Sequence, residues 1–294
     1  MPVAQVNNPQ MKDILDSEFQ RSSDPSYLAR IAVSKYLNLP GVRGFWGPAV
    51  KLGAQGGIYA TDMTGGANHL VWTPSAVYYP QLGRLAWYFD GARYASNPDQ
   101  PQWDITGAEA WSGFPGLTLG AWIRTARARP YAGVEEIMHK YNIATNQASY
   151  RLCLDNGNPN VDGLTLYLSS TGANWYGFDH SKPVSVNTWY FVAASFNPGA
   201  ILGEPAGVRL WVNDTMEYHA ISDRSGGAAA LPASIFPSTT DLQVGAYNAA
   251  SNWFLGYQTL WWICGNYLLE GEIFSIWETT KYLMGYMNEF GTSW

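Results

Sequence analysis

Apolar and polar residues alternate in short runs along most of this chain, and Gly, Pro, Asn and Asp stand between the runs. Leu117, Leu119, Ala121 and Ile123 alternate with Thr118, Gly120, Trp122 and Arg124, a period of two that puts successive side chains on opposite faces of a strand. The same pattern predicts strands over 45–46, 57–60, 69–72, 85–89, 135–139, 149–155, 163–169, 188–196, 208–213, 241–246 and 258–264. Turn residues such as Asp155-Asn156-Gly157 separate several of them. About a dozen short strands in succession predict an all-β fold of two stacked antiparallel sheets.

The pattern changes at both ends. Residues 11–19 and 27–37 have helix-like spacing, with Asp24 and Pro25 placed as N-cap and first-turn residue, so residues 1–40 read as a partly helical N-terminal arm. Such an arm packs on the domain's own sheet or docks on another subunit. After Cys264, Ile273, Ile276, Trp277 and Thr280 recur at three- and four-residue spacing, which predicts a short closing helix over about 270–284 that ends near Gly285. The division is therefore an arm over 1–40 and one domain over 41–294.

Composition narrows the function. Aromatic residues make up 15% of the 294 and charged residues only 14%, as in a Trp- and Tyr-rich β-protein with broad contact surfaces. The formal charge is −6 and the 17 Lys and Arg are scattered, so the basic stripe that nucleic acid requires is missing. No apolar run is long enough to insert in a membrane, and residues 1–19 do not read as an export signal. Cys153 and Cys264 lie in apolar strand-like runs and read as buried thiols; a disulfide between them would need those strands to be neighbours.

Catalytic residues do not emerge from the spacing. Glu135 and Glu136 are adjacent on a strand and so take opposite faces, while Glu272 and Glu278 fall on the closing helix. His69, His139, His180 and His219 lack metal-site spacing, and no nucleophile elbow is present. Sugar binding calls for an aromatic platform beside amide groups, and two inter-strand stretches supply both: Asn174, Trp175 and Tyr176, and Asn248 to Trp253 with Asn252 and Trp253 foremost. The same aromatics, with Trp103, Trp111 and Trp294, serve equally as contact points for neighbouring subunits.

Several pieces, in order, carry a family resemblance: Ala60 to Gly65 followed by Asn68, Tyr88-Phe89-Asp90-Gly91 followed by Tyr94, then LTLGAWIRT, EIMHKYN, SYRLCLDNG, NTWYFVAASFNP and VRLWVND. Over residues 41–283 the chain resembles LamG-type domains, laminin G-like relatives of the concanavalin A-like lectins and glucanases, of the kind found in tailed-bacteriophage virion proteins. The resemblance implies a jelly-roll sandwich and leaves room for Ca²⁺ at the sandwich rim, with Asp62 the foremost metal candidate and Asp90, Asp155 and Asp179 behind it; the competing reading is that these are turn-forming residues. The E-x-D-x-x-E strand of glucanases on this fold is missing. The leading expectation is a non-enzymatic virion structural protein, a capsid or tail decoration that contacts other virion proteins and itself. The alternative is a carbohydrate-binding adhesin module, extracellular or on a cell surface and directed at cell-surface glycans, and a glycoside hydrolase is the third reading.

Overall fold

A computed structural model describes residues 36, 38–52, 58–64, 66, 68–73, 86–107, 114–158, 161–199, 204–225, 230–248 and 251–291. The expected N-terminal arm lies outside the described residues apart from its last few positions, and Trp111 and Trp294 lie outside them too. The strands are β1 (Val42–Leu52), β2 (Ile58–Asp62), β3 (Leu70–Thr73), β4 (Trp87–Asp90), β5 (Tyr94–Asn97), β6 (Pro115–Thr125), β7 (Glu135–Asn142), β8 (Gln147–Asn158) and β9 (Val161–Leu168). They continue with β10 (Tyr176–Pro183), β11 (Tyr190–Asn197), β12 (Gly207–Val212), β13 (Thr215–His219), β14 (Arg224–Ser225), β15 (Leu242–Val244) and β16 (Leu255–Asn266), and helix α1 (Glu270–Gly291) closes the chain.

All pairings are antiparallel, in the order β13-β12-β11-β6-β16-β1-β2-β3-β5-β15-β7-β8-β9-β10-β14, with β4 added on β16. This ladder folds back on itself so that β12 meets β9 and β10. Alternation then sorts every strand: Leu119, Ala121 and Ile123 of β6, Leu152 and Leu154 of β8, Leu164 and Leu166 of β9, Phe178 of β10 and Val192 of β11 share one buried core. The apolar periodicity read from the sequence is the periodicity that fills this core.

The outward side of the half containing β12, β11, β6, β16 and β1 is apolar as well. A cross-strand row runs Met216, Trp211, Ala193, Gly120, Trp262, Phe45, and Gly120 is required there because a Cβ would stand 2.8 Å from the Trp262 ring. Tyr36, Leu39 and the Ile273 and Ile276 face of α1 bury these rings. Tyr36 stacks on Phe45 with centroids 4.4 Å apart, and Trp122 Nε1 donates to Thr280 Oγ1 at 2.8 Å. Helix α1 begins with a reciprocal cap: Leu269 N–H donates to the Glu272 carboxylate at 2.8 Å, and Glu272 N–H donates to the Leu269 carbonyl at 3.0 Å.

Strand β16 carries a bulge between Thr259, opposite Trp122, and Trp262, opposite Gly120; Leu260 is the extra residue, at φ 50°. A leucine there is strained, and its burial in the apolar outer layer offsets the strain.

Three expectations are corrected. Strands β5, β10, β13 and β14 were not predicted, and β10 makes Tyr176 the first residue of a strand where a loop was expected. Asp155-Asn156-Gly157 lies inside β8 where a turn was expected, with a register shift between Asp155 and Asn158. Helix α1 continues past Gly285 to Gly291, since one glycine costs only about 1 kcal/mol in a helix and does not end it. The two cysteines are free and buried, as the sequence reading expected, on strands that do not adjoin, so the alternative of a bridge falls away.

Candidate functional site

The other half of the ladder presents a different outer side. Register aligns one residue from each of eight strands into a row: Val71, Ser96, Gln243, His139, Arg151, Tyr167, Gly177 and Arg224. A parallel row holds Glu136, Cys153, Thr165 and Asp179. These positions alternate with core leucines and Phe178, so the strand period turns them away from the core.

Arg151 is the centre. Its guanidinium lies 4.9 Å from the Tyr247 ring, 5.3 Å from Tyr167 and 5.9 Å from Tyr141, and its Nε donates to the Glu136 carboxylate at 2.9 Å while Nη2 makes a second bond. Arg224 approaches the Tyr167 ring to 5.3 Å and bonds Asp155 and Asp179. Gly177 lies between them in the row; a Cβ there would stand 3.1 Å from the Tyr167 ring, so the missing side chain gives the ring its place. The Tyr167 hydroxyl donates to Asp155, and Thr165 Oγ1 donates to Asp179 at 2.8 Å.

Burial sets the protonation states. It pushes the His139 imidazole below its usual range, against the Glu136 charge and the Ala246 carbonyl 2.8 Å from Nε2. It pushes the Asp179 carboxyl up, with Arg224 working against it, and drives the Cys153 thiol far up, so that sulfur is no nucleophile. For Arg151 burial works against the charge, but Glu136 and the groups around it outweigh that and the guanidinium stays charged.

The carboxylates on this face are committed to arginines: Glu136 to Arg151, and Asp155 and Asp179 to Arg224. Glu135 points to the opposite side, where Thr125 Oγ1, Arg127, Arg129 and the Leu255 N–H occupy it. Such an arrangement provides rings and hydrogen-bonding groups for recognition and lacks a free acid–base pair among the described residues.

The expected sugar-binding residues flank the row. Trp175 meets Tyr167 edge-on at 5.5 Å and, like Tyr247, Val134 and Ile143, packs against the buried cluster of Tyr141, Ala148, Cys153 and Tyr167. Trp253 stands 6.1 Å from Tyr94, which register places on the Glu136 side of the row, opposite Trp175. Asn174 is used internally: its Oδ1 accepts from Ser169 Oγ at 2.9 Å, Ser170 N at 3.0 Å, and Thr171 N at 3.1 Å, and its Nδ2 donates to the Tyr176 hydroxyl at 3.2 Å. Asn252, at φ 53°, presents its carbonyl to the Glu136 N–H at 3.0 Å.

Asp62 is a loop organiser here, accepting from Thr64 N at 3.0 Å, Thr64 Oγ1 at 2.8 Å and Asn68 N at 3.2 Å. Among the described residues no group of three or more His, Cys, Asp or Glu side chains is placed to hold a metal ion. Sequence reasoning missed Arg151, Tyr167, Tyr247 and Arg224. The alternation of Arg151, Cys153 and Asp155 with Leu152 and Leu154 marks a polar outer face, but the assembly across strands is a product of topology.

No family model matches the chain, and no curated protein matches it. Solved structures do. The receptor-binding domain of botulinum neurotoxin type G superposes with a TM-score of 0.51 at 12% identity, over 81% of this chain and 51% of that one. The botulinum neurotoxin serotype D ligand-binding domain, solved with N-acetylneuraminic acid, gives 0.50 at 12% identity over 84% and 52%. Botulinum neurotoxin type C, whose uptake into cells depends on interaction with two ganglioside molecules, gives 0.52 at 10% identity over 81% and 51%. The chain spans about half the length of the neurotoxin domains it matches, and at this identity the likeness is one of fold.

Proposed function

We propose that this chain is a non-enzymatic carbohydrate-binding module. In this reading the two halves of the ladder form a jelly-roll sandwich of the concanavalin A-like, LamG-resembling kind, and glycans outside the cell are the partners. The ligand platform is the outer side of β7, β8, β9 and β10, between Trp175 and Trp253. The observation that carries the proposal is the collar of Tyr141, Tyr167 and Tyr247 around Arg151 with Trp175 edge-on to Tyr167, Tyr247 and Trp175 being partly exposed, so that aromatic rings stand beside fixed polar groups on a rigid sheet. The neurotoxin domains of similar fold, one solved with N-acetylneuraminic acid and one from a toxin whose cell entry depends on gangliosides, support carbohydrate in general as the ligand class.

Glycan-array screening followed by calorimetry tests it. The expected result is binding that Trp175→Ala weakens at least about tenfold, the loss of one stacking platform, while the melting temperature moves by only a few degrees. Binding to no glycan on a broad array would end the proposal.

A second reading, the virion structural protein with a contact role, draws on α1. There Phe274 is 46% exposed and pairs with Trp277 at 5.2 Å, under the Lys281 ammonium at 4.4 Å. That reading puts the working surface on the helix, where Trp175→Ala has no effect.

A further inference from the structure

We infer that the Arg151 face selects uncharged sugars and rejects sugars that carry a carboxylate, an inference that rests on the carbohydrate-binding reading. The argument is a balance of charges. Glu136, Asp155 and Asp179 line the face against the guanidinia of Arg151 and Arg224, one carboxylate in excess, and the half-exposed Asp223 stands at its edge, where it accepts from the Asp179 N–H and pairs with His219. Both guanidinia are engaged: Arg151 by Glu136 and three tyrosine rings, Arg224 by Asp155, Asp179 and Tyr167. His139 adds no charge near neutral pH, because burial holds its imidazole below the usual range.

The rim does not alter the balance. Arg127 and Arg129 pair with Glu135, and Arg129 also pairs with Asp162, two cations against two anions. An incoming carboxylate therefore meets a surplus of negative charge and displaces an existing ion pair to reach a guanidinium. A single surplus charge about 8 Å away disfavours it between about twofold and about thirtyfold, across the range from water to protein-surface dielectric.

The orphaned polar atoms point the same way. Asp179 Oδ2 is a buried acceptor and Arg224 Nε, on the residue that pairs with it, a buried donor, both without partners among the described residues. The Asp179 side chain is only 9% exposed. A hydroxyl satisfies such an acceptor, whereas a carboxylate placed there would set acceptor against acceptor. The rings of Trp175 and Tyr247 supply the apolar contact that needs no charge.

The test is calorimetric titration of the full chain with matched oligosaccharides that differ only by a terminal sialic acid, at about 20 mM and about 300 mM salt. We expect the neutral member to bind about tenfold more tightly at low salt, and the gap to narrow at high salt as the surplus charge is screened. Asp223→Asn, a change at a half-exposed position away from the tyrosine collar, is expected to narrow the low-salt gap about threefold and to leave neutral-sugar affinity in place. Equal or tighter binding of the sialylated member overturns the inference and leaves the carbohydrate reading standing. A gap that ignores both salt and Asp223→Asn overturns charge as its cause, and binding of neither member removes the reading together with the inference.

Discussion

The two outer sides of the ladder use one core in opposite ways. On the side of β6, β11, β12, β16 and β1, outward positions hold Phe45, Trp122, Phe191, Trp211 and Trp262, and α1 with Tyr36 and Leu39 seals them. On the side of β7, β8, β9 and β10, outward positions hold Glu136, Arg151, Tyr167 and Asp179, whose charges are compensated laterally by ion pairs and cation–π contacts. Aliphatic and indole carbon needs a cover, and the chain grew a helix for it. On that side Tyr141 and Tyr167 are buried, while Tyr247 and Trp175 are partly exposed and leave ring edges open to contact. What an outward position carries thus tells which side of such a ladder is structural and which is available for recognition.

The sealed side should be the more sensitive to truncation. Trp262→Ala removes a fully buried ring that Tyr36 meets at 6.0 Å and that Gly120 accommodates, and it is expected to destabilise by about 3–5 kcal/mol in urea unfolding. A loss below about 1 kcal/mol would mean that α1 rides on the sheet without depending on it.

The open side depends on pairing more than on volume. Arg151→Met leaves the fully buried Glu136 carboxylate without its guanidinium, at an expected cost of about 3 kcal/mol, and adding Glu136→Gln should restore much of it. Single and double variants of equal stability would show that the tyrosine collar, and not the ion pair, holds Arg151.

Acid gives the smallest and most diagnostic effect. The imidazoles of His139 and His180 are both held below their ordinary range, chiefly by burial, so the unfolded chain takes up protons first as the pH falls. Stability is full above the unfolded-state histidine value of about 6.5 and falls below it by up to about 1.4 kcal/mol per pH unit for each histidine. The Asp179 carboxyl, raised in the folded protein chiefly by burial, acts in the opposite sense at lower pH, because there the folded chain binds the proton first. Thermal melts from pH 7.5 to 5.5 should fall, and His139→Gln should flatten the slope in part; an unchanged slope would assign the effect to His180, beside Glu217.

Strands with full apolar alternation were readable: β6, β8, β9, β11, β12 and β16 lie over the predicted runs. Strand β10 was not, because only Tyr176, Phe178 and His180 mark its inward side among Gly, Asp, Ser, Lys and Pro, and β13 was not, because Met216 and Tyr218 are its only large apolar side chains. The aromatic loop residues Trp175 and Trp253 were legible as candidates. The arginine and tyrosine between them were not, since His139, Arg151, Tyr167 and Arg224 become neighbours only through strand order. Asn174 shows the converse: its sequence signature fits ligand binding, and its amide is consumed by its own loop.

The extra residue in β16 gives this strand a local tolerance to a change of length. Gln258 and Trp261 face inward while Thr259 and Trp262 face outward, and Leu260 is the surplus between them. A chain shortened by that one leucine would keep every flanking side chain on its present side, whereas the loss of one residue from a strand in strict alternation turns everything beyond it to the other face. The middle of the protein therefore contains a joint where length can drift by one residue over evolution without scrambling the interior.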